Sequence, residues 1–537
     1  MTSRILVTSA LLYANGTIHF GHIAGAYLSA DIYARFERMQ GSDVLFVSGS
    51  DEYGVAITLS AEKAGRTPSE HVDHFHTINK RIFEEIGISF DNFSRTTWEG
   101  HKKHVLQYFN DLKKNGFVEE RETQQLYSEE EDRFLADRYV AGICPHCGFE
   151  EARGDECTHC GASYEATDLK NPRSKVTGSP LSLRKTRHWF LLLDKLQPQL
   201  EKWIAGKKWK PNVLNFAKKY LENLRPRAIT RDSEWGVQVS PGKVFYVWFE
   251  ACIGYLSATE EAFPDTWCDY WCDPSTQLVQ FVGKDNIFFH AIFWPAMTLG
   301  QDQPYITVND LPANEFLTLE GKQFSKSEGW FIDIEEFLSC YTADQLRYTL
   351  AANAPETHDS EFTWHDFQTR CNSELLGKLG NLVNRTLVFL NRKMGGRTPP
   401  LGEGDPEFLA EVKRLTQEAR AAYAAFSPRK ATHHIMELAA LGNTFFDHRT
   451  PWKAPDEAHR ATTLACCLEC LKALAVIASP IIPEAANKLW SMLGLTDLTN
   501  WDTALTTPLP DTLPEPHILF QKVEDEQIEK ELAKLQS

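Results

Sequence analysis

The sequence predicts an α/β protein in which a parallel sheet is interrupted by an insertion and followed by a bundle of helices. Three observations support this fold class. Strand and helix patterns alternate over the first 115 residues, the alternation returns after residue 231, and the chain beyond Trp364 carries apolar residues at helical spacing. With 537 residues, the chain is long enough for roughly three or four domains.

The first strand and helix of the predicted sheet flank a short histidine motif. RILVTSAL predicts a strand, a helix is expected from about Gly21 to Met39, and DVLFVSGS predicts a second strand that ends at Asp51. The stretch TIHFGHI places His19, Gly21 and His22 at the start of the helix. In a parallel sheet such a helix start points its free N–H groups at the crevice where ligands bind, so we expect phosphate groups there. Glycine removes a side chain where a nucleotide must approach closely.

Four cysteines in the insertion form two CxxC pairs, separated by nine residues and each followed by glycine: Cys144, Cys147, Cys157 and Cys160. Two such pairs wrap four thiolates around tetrahedral zinc and leave no coordination position open for water. We therefore predict one structural Zn²⁺. A redox role is less favoured, because no thioredoxin-like βαβ pattern surrounds the pairs. His146 and His159 lie inside the pairs and are the alternative ligands, although four sulfurs suffice.

The charge of the insertion differs sharply from that of the whole chain. The formal net charge is -17, yet the segment 169–231 holds sixteen Lys or Arg residues against three acids. Four aromatic residues are interleaved with its lysines: Trp203, Trp209, Phe216 and Tyr220. This mixture suits a groove that follows a nucleic-acid backbone, since only the docking face needs to be basic. A solvated helix face with a buried aromatic stripe explains it equally well, and both interpretations stay open.

After the insertion, strand patterns return in KVFYVWFEACIGY and QLVQFVGKDNIFFH. They are followed by EGKQFSKSEG at 320–329, a glycine-bounded loop that holds Ser325, Lys326 and Ser327. A mobile lysine flanked by hydroxyl groups suits a loop that closes over a triphosphate and stabilises a departing pyrophosphate.

Two further stretches are interpreted as ordinary structure. HVDHFH at 71–76 lies on a predicted polar helix, and we interpret it as a solvated face rather than a metal site. LACCLECLKALAVIASPIIP contains Glu469 and Lys472, so it predicts a buried helix rather than a membrane span. The remaining cysteines fit reduced thiols, and the sequence shows no leader pattern, so we expect a cytoplasmic protein.

The histidine motif HxGH, paired with an SKS loop some three hundred residues later, resembles the two signatures of class I aminoacyl-tRNA synthetases. The stretches ALLYANGTIHFGH, GSDEYG, YVWFEACIGY and GKDNIFFH narrow the resemblance to the methionyl-tRNA synthetase family, over nearly the whole chain. Three residues depart from the family pattern. Leu12 stands where proline is frequent, Gln323 replaces the first lysine of the loop, and Glu328 stands where a basic residue is frequent. Lys322 is expected to supply the missing charge.

The resemblance implies an organisation and a reaction. It implies a Rossmann-like catalytic domain over 1–115 and 232–324, a connective insertion with the zinc knuckle over 116–231, the SKS loop and a stem-contact region over 325–365, and a helical anticodon-binding domain over 366–537. The expected enzyme activates methionine with ATP, which yields methionyl-adenylate and pyrophosphate. It then transfers methionine to the terminal ribose of tRNA(Met).

The resemblance also implies a role for each matching residue. His19, His22 and Lys326 are the expected catalytic residues, with Mg²⁺ accompanying ATP. The expected ATP site comprises His19, Gly21, His22, Gly283, Asp285, Ser325, Lys326 and Ser327. The expected methionine site comprises Ala10, Leu11, Tyr13, Asp51, Trp248, Tyr255, Phe289 and His290. Asn381, Arg385 and Trp452 match positions that read the CAU anticodon.

Three other functions were weighed. A small nucleotidyltransferase also uses HxGH but lacks the zinc insertion and the helical third. A non-catalytic tRNA-binding paralogue is kept open by Gln323, although the other signature residues are retained. A synthetase for another apolar amino acid is disfavoured, because the chain has no room for a large editing insertion. We expect a monomer without a membrane partner, and whether a further C-terminal RNA-binding domain follows stays open.

Overall fold

The structure is a computed structural model that describes residues 3–135, 139–154, 157, 159–160, 164, 166–222, 224–326 and 329–536. The chain begins with alternating strands and helices, as predicted. The strands are β1 (Arg4–Ser9), β2 (Leu12–Tyr13), β3 (Asp43–Asp51) and β4 (Asn92–Arg95). The helices are α1 (Phe20–His22), α2 (Leu28–Met39), α3 (Val55–Lys63), α4 (Pro68–Glu85) and α5 (His101–Lys114). A π-helical turn, Ile23–Tyr27, joins α1 to α2.

The insertion, together with the residues that follow it up to Phe245, consists of small antiparallel sheets and two helices. Its elements are β5 (Val118–Ser128), β6 (Arg133–Phe134), β7 (Val140–Ile143), β8 (Ala152–Arg153), β9 (Lys170–Ser174), β10 (Ser182–Leu191), α6 (Leu193–Ala205), α7 (Pro211–Leu221), β11 (Arg227–Ala228), β12 (Thr230–Asp232), β13 (Gln238–Ser240) and β14 (Lys243–Phe245). Strands β11-β10-β5-β6 form one sheet, β8-β7-β9 a second and β12-β14-β13 a third.

The sheet resumes after the insertion. The next elements are α8 (Val247–Ala251), α9 (Gly254–Ala262), α10 (Trp267–Trp271), β15 (Gln277–Gly283), α11 (Trp294–Leu299), β16 (Ala313–Asn314), β17 (Leu317–Leu319), α12 (Ile334–Cys340), α13 (Ala343–Ala352) and β18 (Ser360–Phe362). The main sheet has the order β16-β15-β1-β3-β2, with β4 also on β3, and all its pairs are parallel. Strand β1 thus pairs with β15, which lies beyond the insertion. Both β1 and β3 are almost fully buried, as expected for parallel strands covered on both faces.

The last third of the chain is helical. Its elements are α14 (Trp364–Thr369), a π-helical segment (Arg370–Gly380), α15 (Asn381–Met394), α16 (Pro406–Ala424), α17 (Pro428–Arg449), α18 (Glu457–Ala478), α19 (Pro483–Met492), α20 (Trp501–Thr506) and α21 (Asp525–Gln536). Residues 395–405 connect α15 to α16. One described helix, α18, is long and apolar enough to cross a membrane, but 83% of its most apolar stretch is buried inside the fold.

A buried arginine connects the sheet to the helical bundle. Arg347 in α13 is 1% exposed and donates to the carboxylate of Asp31 in α2 at 2.6 Å. It also donates to the carbonyl oxygens of Pro480 and Ile481, between α18 and α19, at 3.0 and 2.8 Å. Burial acts to raise the pKa of Asp31, but Arg35, Arg347 and hydrogen bonds from Ser89 lower it to about 2.

The aromatic residues of the basic segment mostly pack inward. Trp209 is 5% exposed and donates to the carbonyl of Asn309 at 2.7 Å, while Trp203 donates to the hydroxyl of Thr307 at 2.9 Å. Among the four interleaved rings, only Tyr220 has a mainly exposed side chain. The structure therefore favours the buried aromatic stripe over a nucleic-acid groove built from these rings.

The prediction that HVDHFH forms a solvated face is wrong for two of its three histidines. His71 is 3% exposed, and a ring nitrogen of His76 lies 2.8 Å from the hydroxyl of Ser50 on β3. His74 is exposed as expected. The helix α4 that carries them packs against the end of the sheet, so a polar pattern alone did not show which histidines face inward.

Candidate active site

A cavity of about 700 Å³ opens at the carboxyl ends of the central strands. Its walls come from the loop after β1, the start of α1, the end of β3, the start of α8 and the loops after β15 and β17. This edge of a parallel sheet is where ligands are expected. Ten predicted site residues line it: Ala10, Leu11, Tyr13, His19, Gly21, His22, Asp51, Trp248, Gly283 and Asp285. Tyr255, Phe289, His290, Ser325 and Lys326 are not part of the lining.

The two histidines of the opening motif are held as neutral donors. Nδ1 of His19 accepts from the backbone N–H of Gly21, and Nδ1 of His22 accepts from the backbone N–H of His19, both at 3.1 Å. Burial, the second imidazole and Lys326 lower the pKa of His19 to about 2, and burial with Lys326 lowers that of His22 to about 4. Both rings are therefore neutral near pH 7, and each carries its proton on Nε2, because Nδ1 is used as an acceptor.

Gly21 makes room for an aromatic stack on the first histidine. The ring of Phe324 lies parallel to that of His19, with centroids 4.7 Å apart and planes inclined by 5°. A Cβ on Gly21 would lie 3.0 Å from the ring of His19 and 3.2 Å from Phe324. Any side chain here would push the two rings apart, so glycine preserves the stacked arrangement of the turn.

The lysine of the SKS loop reaches back to the segment before α1. The ammonium of Lys326 donates to the carbonyl and the hydroxyl oxygens of Thr17. Burial lowers its pKa to about 8. Ser325 exchanges backbone hydrogen bonds with Trp330 at 2.9 and 2.8 Å, which closes the loop behind the lysine. Ser327 and Glu328, also singled out from the sequence, lie outside the described residues.

Lys322, which was expected to supply the charge missing at Gln323, is not part of the cavity lining. The ammonium of Lys322 lies 4.3 Å from the centre of the Trp330 ring. Gln323, the residue that departs from the family pattern, lines the cavity instead. The loop thus presents an amide to the cavity where a charge was expected.

The acidic end of the cavity lies at the end of β3. Asp51 is 5% exposed, and one of its carboxylate oxygens, Oδ1, has no hydrogen-bond partner among the described residues. Burial raises the pKa of Asp51, and the neighbouring charge of Glu52 raises it further. Glu52 itself accepts hydrogen bonds from Arg95 at 2.8 Å and from Thr97 at 2.5 Å. Asp51 is therefore the acid left to meet a cationic ligand.

Aromatic rings form one wall of the cavity and the layer behind it. Trp248 lines the cavity and stacks on Phe289, with ring centroids 3.8 Å apart. Behind this stack, the hydroxyl of Tyr255 lies 2.8 Å from Nε2 of His290. Because Nδ1 of His290 lies 3.0 Å from the carbonyl of Asn286, that nitrogen donates and Nε2 accepts from the tyrosine. Burial lowers the pKa of His290 to about 4, so the ring is neutral near pH 7.

A short turn after β15 supplies Asp285 to the mouth of the cavity. Its Oδ1 lies 2.8 Å from the point where a Cβ on Gly283 would stand. Gly283 therefore lets the carboxylate fold back over the end of the strand. The neighbouring Lys284 pairs with Glu315, which lines the cavity, at 3.0 Å and with Asp359 at 2.7 Å.

The four cysteines of the insertion converge. Their sulfur atoms all lie within 4.8 Å of one another, with 3.9 Å between Cys144 and Cys160 and 3.6 Å between Cys147 and Cys157. Four sulfurs at about 2.3 Å from a tetrahedral zinc are about 3.8 Å apart, so the set fits zinc and is too open for a disulfide. The ring of His159 stacks on Phe149, which makes it a poor competitor for the metal.

The three predicted anticodon residues lie at one end of the bundle. Arg385 on α15 pairs with Asp447 on α17, and Asn381 donates to Asn443 at 3.2 Å. The guanidinium of Arg385 lies 6.0 Å from the centre of the Trp452 ring. Trp452 is 45% exposed, unusually so for a tryptophan. Asn381 and Arg385 are thus each held by a partner on α17, beside the partly exposed ring of Trp452.

Several aromatic residues that line the cavity were not predicted from the sequence, and two of them contact predicted site elements directly. Trp235 donates its indole N–H to the carbonyl of Glu52 at 2.8 Å, and its ring packs against Tyr53. Phe324, which stacks on the first histidine, lies in the quoted loop directly before SKS. The position of Phe324 beside the motif was a usable signal, whereas nothing in TRDSEWG marks Trp235 as a cavity residue.

The parallel sheet, the histidine turn and the lysine loop define the site of a class I aminoacyl-tRNA synthetase. The family model described as tRNA synthetases class I (M) matches residues 5–387, and the model for the anticodon binding domain of methionyl tRNA ligase matches residues 396–536. The chain belongs to the methionyl-tRNA synthetase family.

Individual relatives agree with the family models. The methionine–tRNA ligase of Protochlamydia amoebophila is 57% identical, over 100% of this chain and 80% of the relative. That of Chlamydia caviae is 54% identical, over 94% of each chain. Among solved structures, Mycobacterium tuberculosis methionyl-tRNA synthetase in complex with methionyl-adenylate matches with a TM-score of 0.81 and 27% identity, over 97% of this chain and 100% of that chain.

Proposed function

We propose that this protein is a methionine–tRNA ligase that activates L-methionine with ATP and transfers it to the 3′-terminal ribose of tRNA(Met). One observation carries the proposal. A single cavity is lined by the two donor histidines and by Asp51, a buried carboxylate with one oxygen that has no hydrogen-bond partner among the described residues, and the loop lysine lies beside the histidine turn. A nucleotide and the ammonium group of an amino acid can therefore both be bound within it, in a chain whose full length matches curated ligases of this activity.

The first step needs no general base. The carboxylate of methionine is already an anion at neutral pH, so one of its oxygens can attack the α-phosphorus of ATP directly. A new oxygen–phosphorus bond forms, the bond between the α-phosphorus and the bridging oxygen breaks, and pyrophosphate leaves with the electron pair. The protein must then supply positioning and charge neutralisation.

The histidine turn and the lysine loop are assigned to the phosphates. His19 and His22 each offer a neutral Nε2–H to phosphate oxygens at the start of α1. We propose that the ammonium of Lys326 leaves Thr17 when ATP arrives and moves to the departing pyrophosphate. ATP enters as its Mg²⁺ complex, and the metal shares the neutralisation. Asp285 is assigned to the ribose hydroxyls, and Ser325 and Ser327 to the loop around the lysine.

The opposite end of the cavity is assigned to methionine. Asp51 accepts the α-ammonium, because its free oxygen is buried at the cavity wall. The thioether is assigned to the slot between Leu11 and Trp248, since a polarisable sulfur packs well against aromatic rings. Tyr255 and His290 stand behind this slot as a hydrogen-bonded pair that fixes the wall.

The insertion and the bundle are assigned to the metal and to tRNA. The four cysteines are proposed to hold one structural Zn²⁺, which would stabilise the short strands β7, β8 and β9 beside them. Asn381, Arg385 and Trp452 are proposed to read the anticodon, in the division of domains that the sequence predicts. The expected monomeric state and cytoplasmic location stay predictions.

The decisive experiment is amino-acid-dependent ATP–pyrophosphate exchange, run separately with each amino acid, followed by charging of tRNA(Met). We expect exchange with methionine alone. Exchange with another apolar amino acid would mean that this amino acid, and not methionine, is the substrate. If no amino acid supported exchange, the result would favour a non-catalytic tRNA-binding paralogue.

A further inference from the structure

A buried carboxylate lies behind the acidic end of the cavity and has no role in the reaction described above. Glu250 on α8 is fully buried and lies less than one turn after Trp248. Its Oε2 lies 2.8 Å from Nε2 of His101 on α5, and Nδ1 of His101 lies 2.7 Å from the hydroxyl of Ser257 on α9. The other oxygen, Oε1, has no hydrogen-bond partner among the described residues.

The end of β3 and the start of α8 are in direct contact. A Cβ on Gly54 would lie 3.4 Å from Cβ of Val247, one turn before Glu250. Asp51 and Glu52, which precede Gly54, are also almost fully buried. Three acidic side chains are thus gathered at the amino-acid end of the cavity.

Few positive charges balance these acids. Arg95 pairs with Glu52 at 2.8 Å, and the described residues provide no ion pair for Asp51. Burial and His104 lower the pKa of His101 to about 3, so its imidazole is neutral near pH 7. Burial with the nearby Arg95 and Lys80 lowers the pKa of His76, close to Glu52, to about 4.

These surroundings favour a proton on Glu250. Burial opposes charge on a carboxylate, and the negative charges of Asp51 and Glu52 oppose it further, so the pKa of Glu250 is raised. The remaining titratable neighbours, Tyr53 and Cys252, also have raised pKa values and contribute no positive charge.

The hydrogen bonds around Glu250 satisfy both of its protonation states. With the proton on Glu250, the acid donates to Nε2 of His101, Nδ1–H donates to Ser257, and the serine hydroxyl donates to the carbonyl of Ile253 at 3.5 Å. Without the proton, Nε2–H of His101 donates to the carboxylate, and the serine hydroxyl turns to donate to Nδ1. The imidazole changes tautomer but keeps both partners, so Glu250 can lose its proton without leaving a donor unpaired.

We propose that Glu250 is a positioning residue that carries a proton in the free enzyme and releases it to solvent when the ammonium group of methionine binds beside Asp51. The inference rests on the methionine site proposed above. An ammonium entering this end of the cavity stabilises the ionised form of each nearby acid and so lowers the pKa of Glu250. The empty pocket then avoids repulsion among its acids, and the filled pocket gains a second negative charge that holds the ammonium.

The proton release can be counted by titrating the full-length protein with L-methionine in a calorimeter, in buffers of different ionisation enthalpy. We expect the wild type to release up to about one proton per methionine near neutral pH. In Glu250→Gln the amide N–H still donates to His101, but no proton is available, so release should fall close to zero. Glu260→Gln is the matched control. Glu260 pairs with His104, which lies on helix α5 like His101, and the variant should leave the proton count unchanged.

Several outcomes would overturn the inference. If wild type binds methionine and supports exchange but releases no proton, Glu250 is not the proton carrier and the proposed function stands. Undiminished release by Glu250→Gln would assign the proton to another group. If the wild type neither binds methionine nor supports exchange, the inference falls together with the proposed function. Infrared difference spectra of the wild type give a second measurement should the variant not fold: the carbonyl stretch of a protonated carboxyl group must disappear on methionine binding.

Discussion

The ammonium of Lys326 is held in place before any substrate arrives. It is partly withdrawn from water and donates to two oxygens of Thr17, so burial lowers its pKa while the hydrogen bonds keep it beside the histidine turn. A triphosphate offers stronger acceptors than a threonine, because charge-assisted hydrogen bonds to anions exceed those to neutral oxygens. The lysine therefore needs only a short movement to act on the leaving group.

Removing this charge is expected to slow the chemistry rather than weaken methionine binding. Lys326→Ala should lower the rate of adenylate formation by about 100- to 1,000-fold, the usual effect of losing one group that stabilises developing charge. The KM for methionine should change little, because methionine binds at the other end of the cavity. Exchange kinetics at varied methionine and ATP measure both quantities.

The matched control for this change is Lys322→Ala in the same loop. Its ammonium lies on the ring of Trp330 and does not line the cavity, so exchange should stay within a few-fold of wild type. An equal loss in both variants, or a loss confined to the methionine KM of Lys326→Ala, would contradict the assigned role.

The low pKa of Lys326 also predicts a pH dependence. The free enzyme has a charged ammonium below about pH 8 and loses it as the pH rises through that value. Because kcat/KM reports groups of the free enzyme, kcat/KM for ATP should decline above about pH 8. Lys326→Arg keeps its charge at any such pH. Its profile should stay flat over this range even if its maximal rate is lower, and an unchanged decline would assign the titration to another group.

At the scale of elements, the molecule places its chemistry where an element begins or ends. The histidines start α1, Asp51 ends β3, Asp285 follows β15, and Trp452 follows α17. At these positions backbone N–H groups are free or side chains clear the neighbouring strands. The short strands β7, β8 and β9 adjoin the cysteine cluster, which is proposed to hold them together through zinc.

The cysteine cluster is expected to hold one zinc per chain. Elemental analysis of protein purified without chelator should find about one zinc, and Cys144→Ser should lose most of it, because three thiolates bind more weakly than four. Protease cleavage should then increase within the insertion, while methionine-dependent exchange declines less. Cys268→Ser changes an exposed cysteine outside the cluster and should retain the metal. Wild-type protein without zinc would contradict the assignment.

The exposed ring of Trp452 is expected to contribute to tRNA binding and not to methionine activation. Trp452→Ala should weaken the interaction with tRNA(Met) by about 1–3 kcal/mol, or one to two decades in charging efficiency, the usual value of a base–aromatic stack. Exchange without tRNA should hardly change, because the adenylate site lies at the sheet.

Ile518→Ala is the matched control for Trp452, since it removes another large exposed apolar side chain from the same part of the chain. It should leave charging intact. The role assigned to Trp452 would be wrong if the variant charged native tRNA normally or lost exchange as severely as charging. It would also be wrong if the variant and the wild type discriminated equally between native tRNA and tRNA with an altered anticodon.

At the scale of the whole molecule, Arg347 joins the sheet to the bundle. Arg347→Ala should destabilise the protein by about 3–5 kcal/mol, because it leaves the buried carboxylate of Asp31 with fewer partners. Arg35→Ala removes the more exposed partner of the same acid and should have a smaller effect. Urea unfolding followed by fluorescence compares the two, and equal effects would show that burial of the ion pair is not what matters.

The sequence alone predicted those features that depend on short motifs. His19, Gly21, His22 and Asp51 were placed correctly at one cavity because strand and helix patterns fix where they emerge. The cysteine cluster followed from spacing, since four ligands in two pairs leave little freedom. Local patterns determine these features completely.

Features that depend on packing between distant segments were not predictable in the same way. The inward position of Trp209 depends on the segment before β16, and that of His76 on β3. Similarly, Lys322 turned to Trp330 rather than to the cavity. In each case the partner lies far along the chain or across a turn, so the residue's own neighbours carried no information about it.

The pairing of β1 with β15 has a consequence for synthesis on the ribosome. About 270 residues separate the two strands, and at typical elongation rates this distance takes on the order of ten to fifty seconds to translate. Throughout that interval the edge of β1 that will receive β15 is unpaired, whereas β5 and β10 of the insertion can pair as soon as both emerge. In the nascent chain the sheet of the insertion can therefore form before the main parallel sheet is complete. Until β15 emerges, the free edge of β1 is exposed, and this is the stage at which chaperones are most needed.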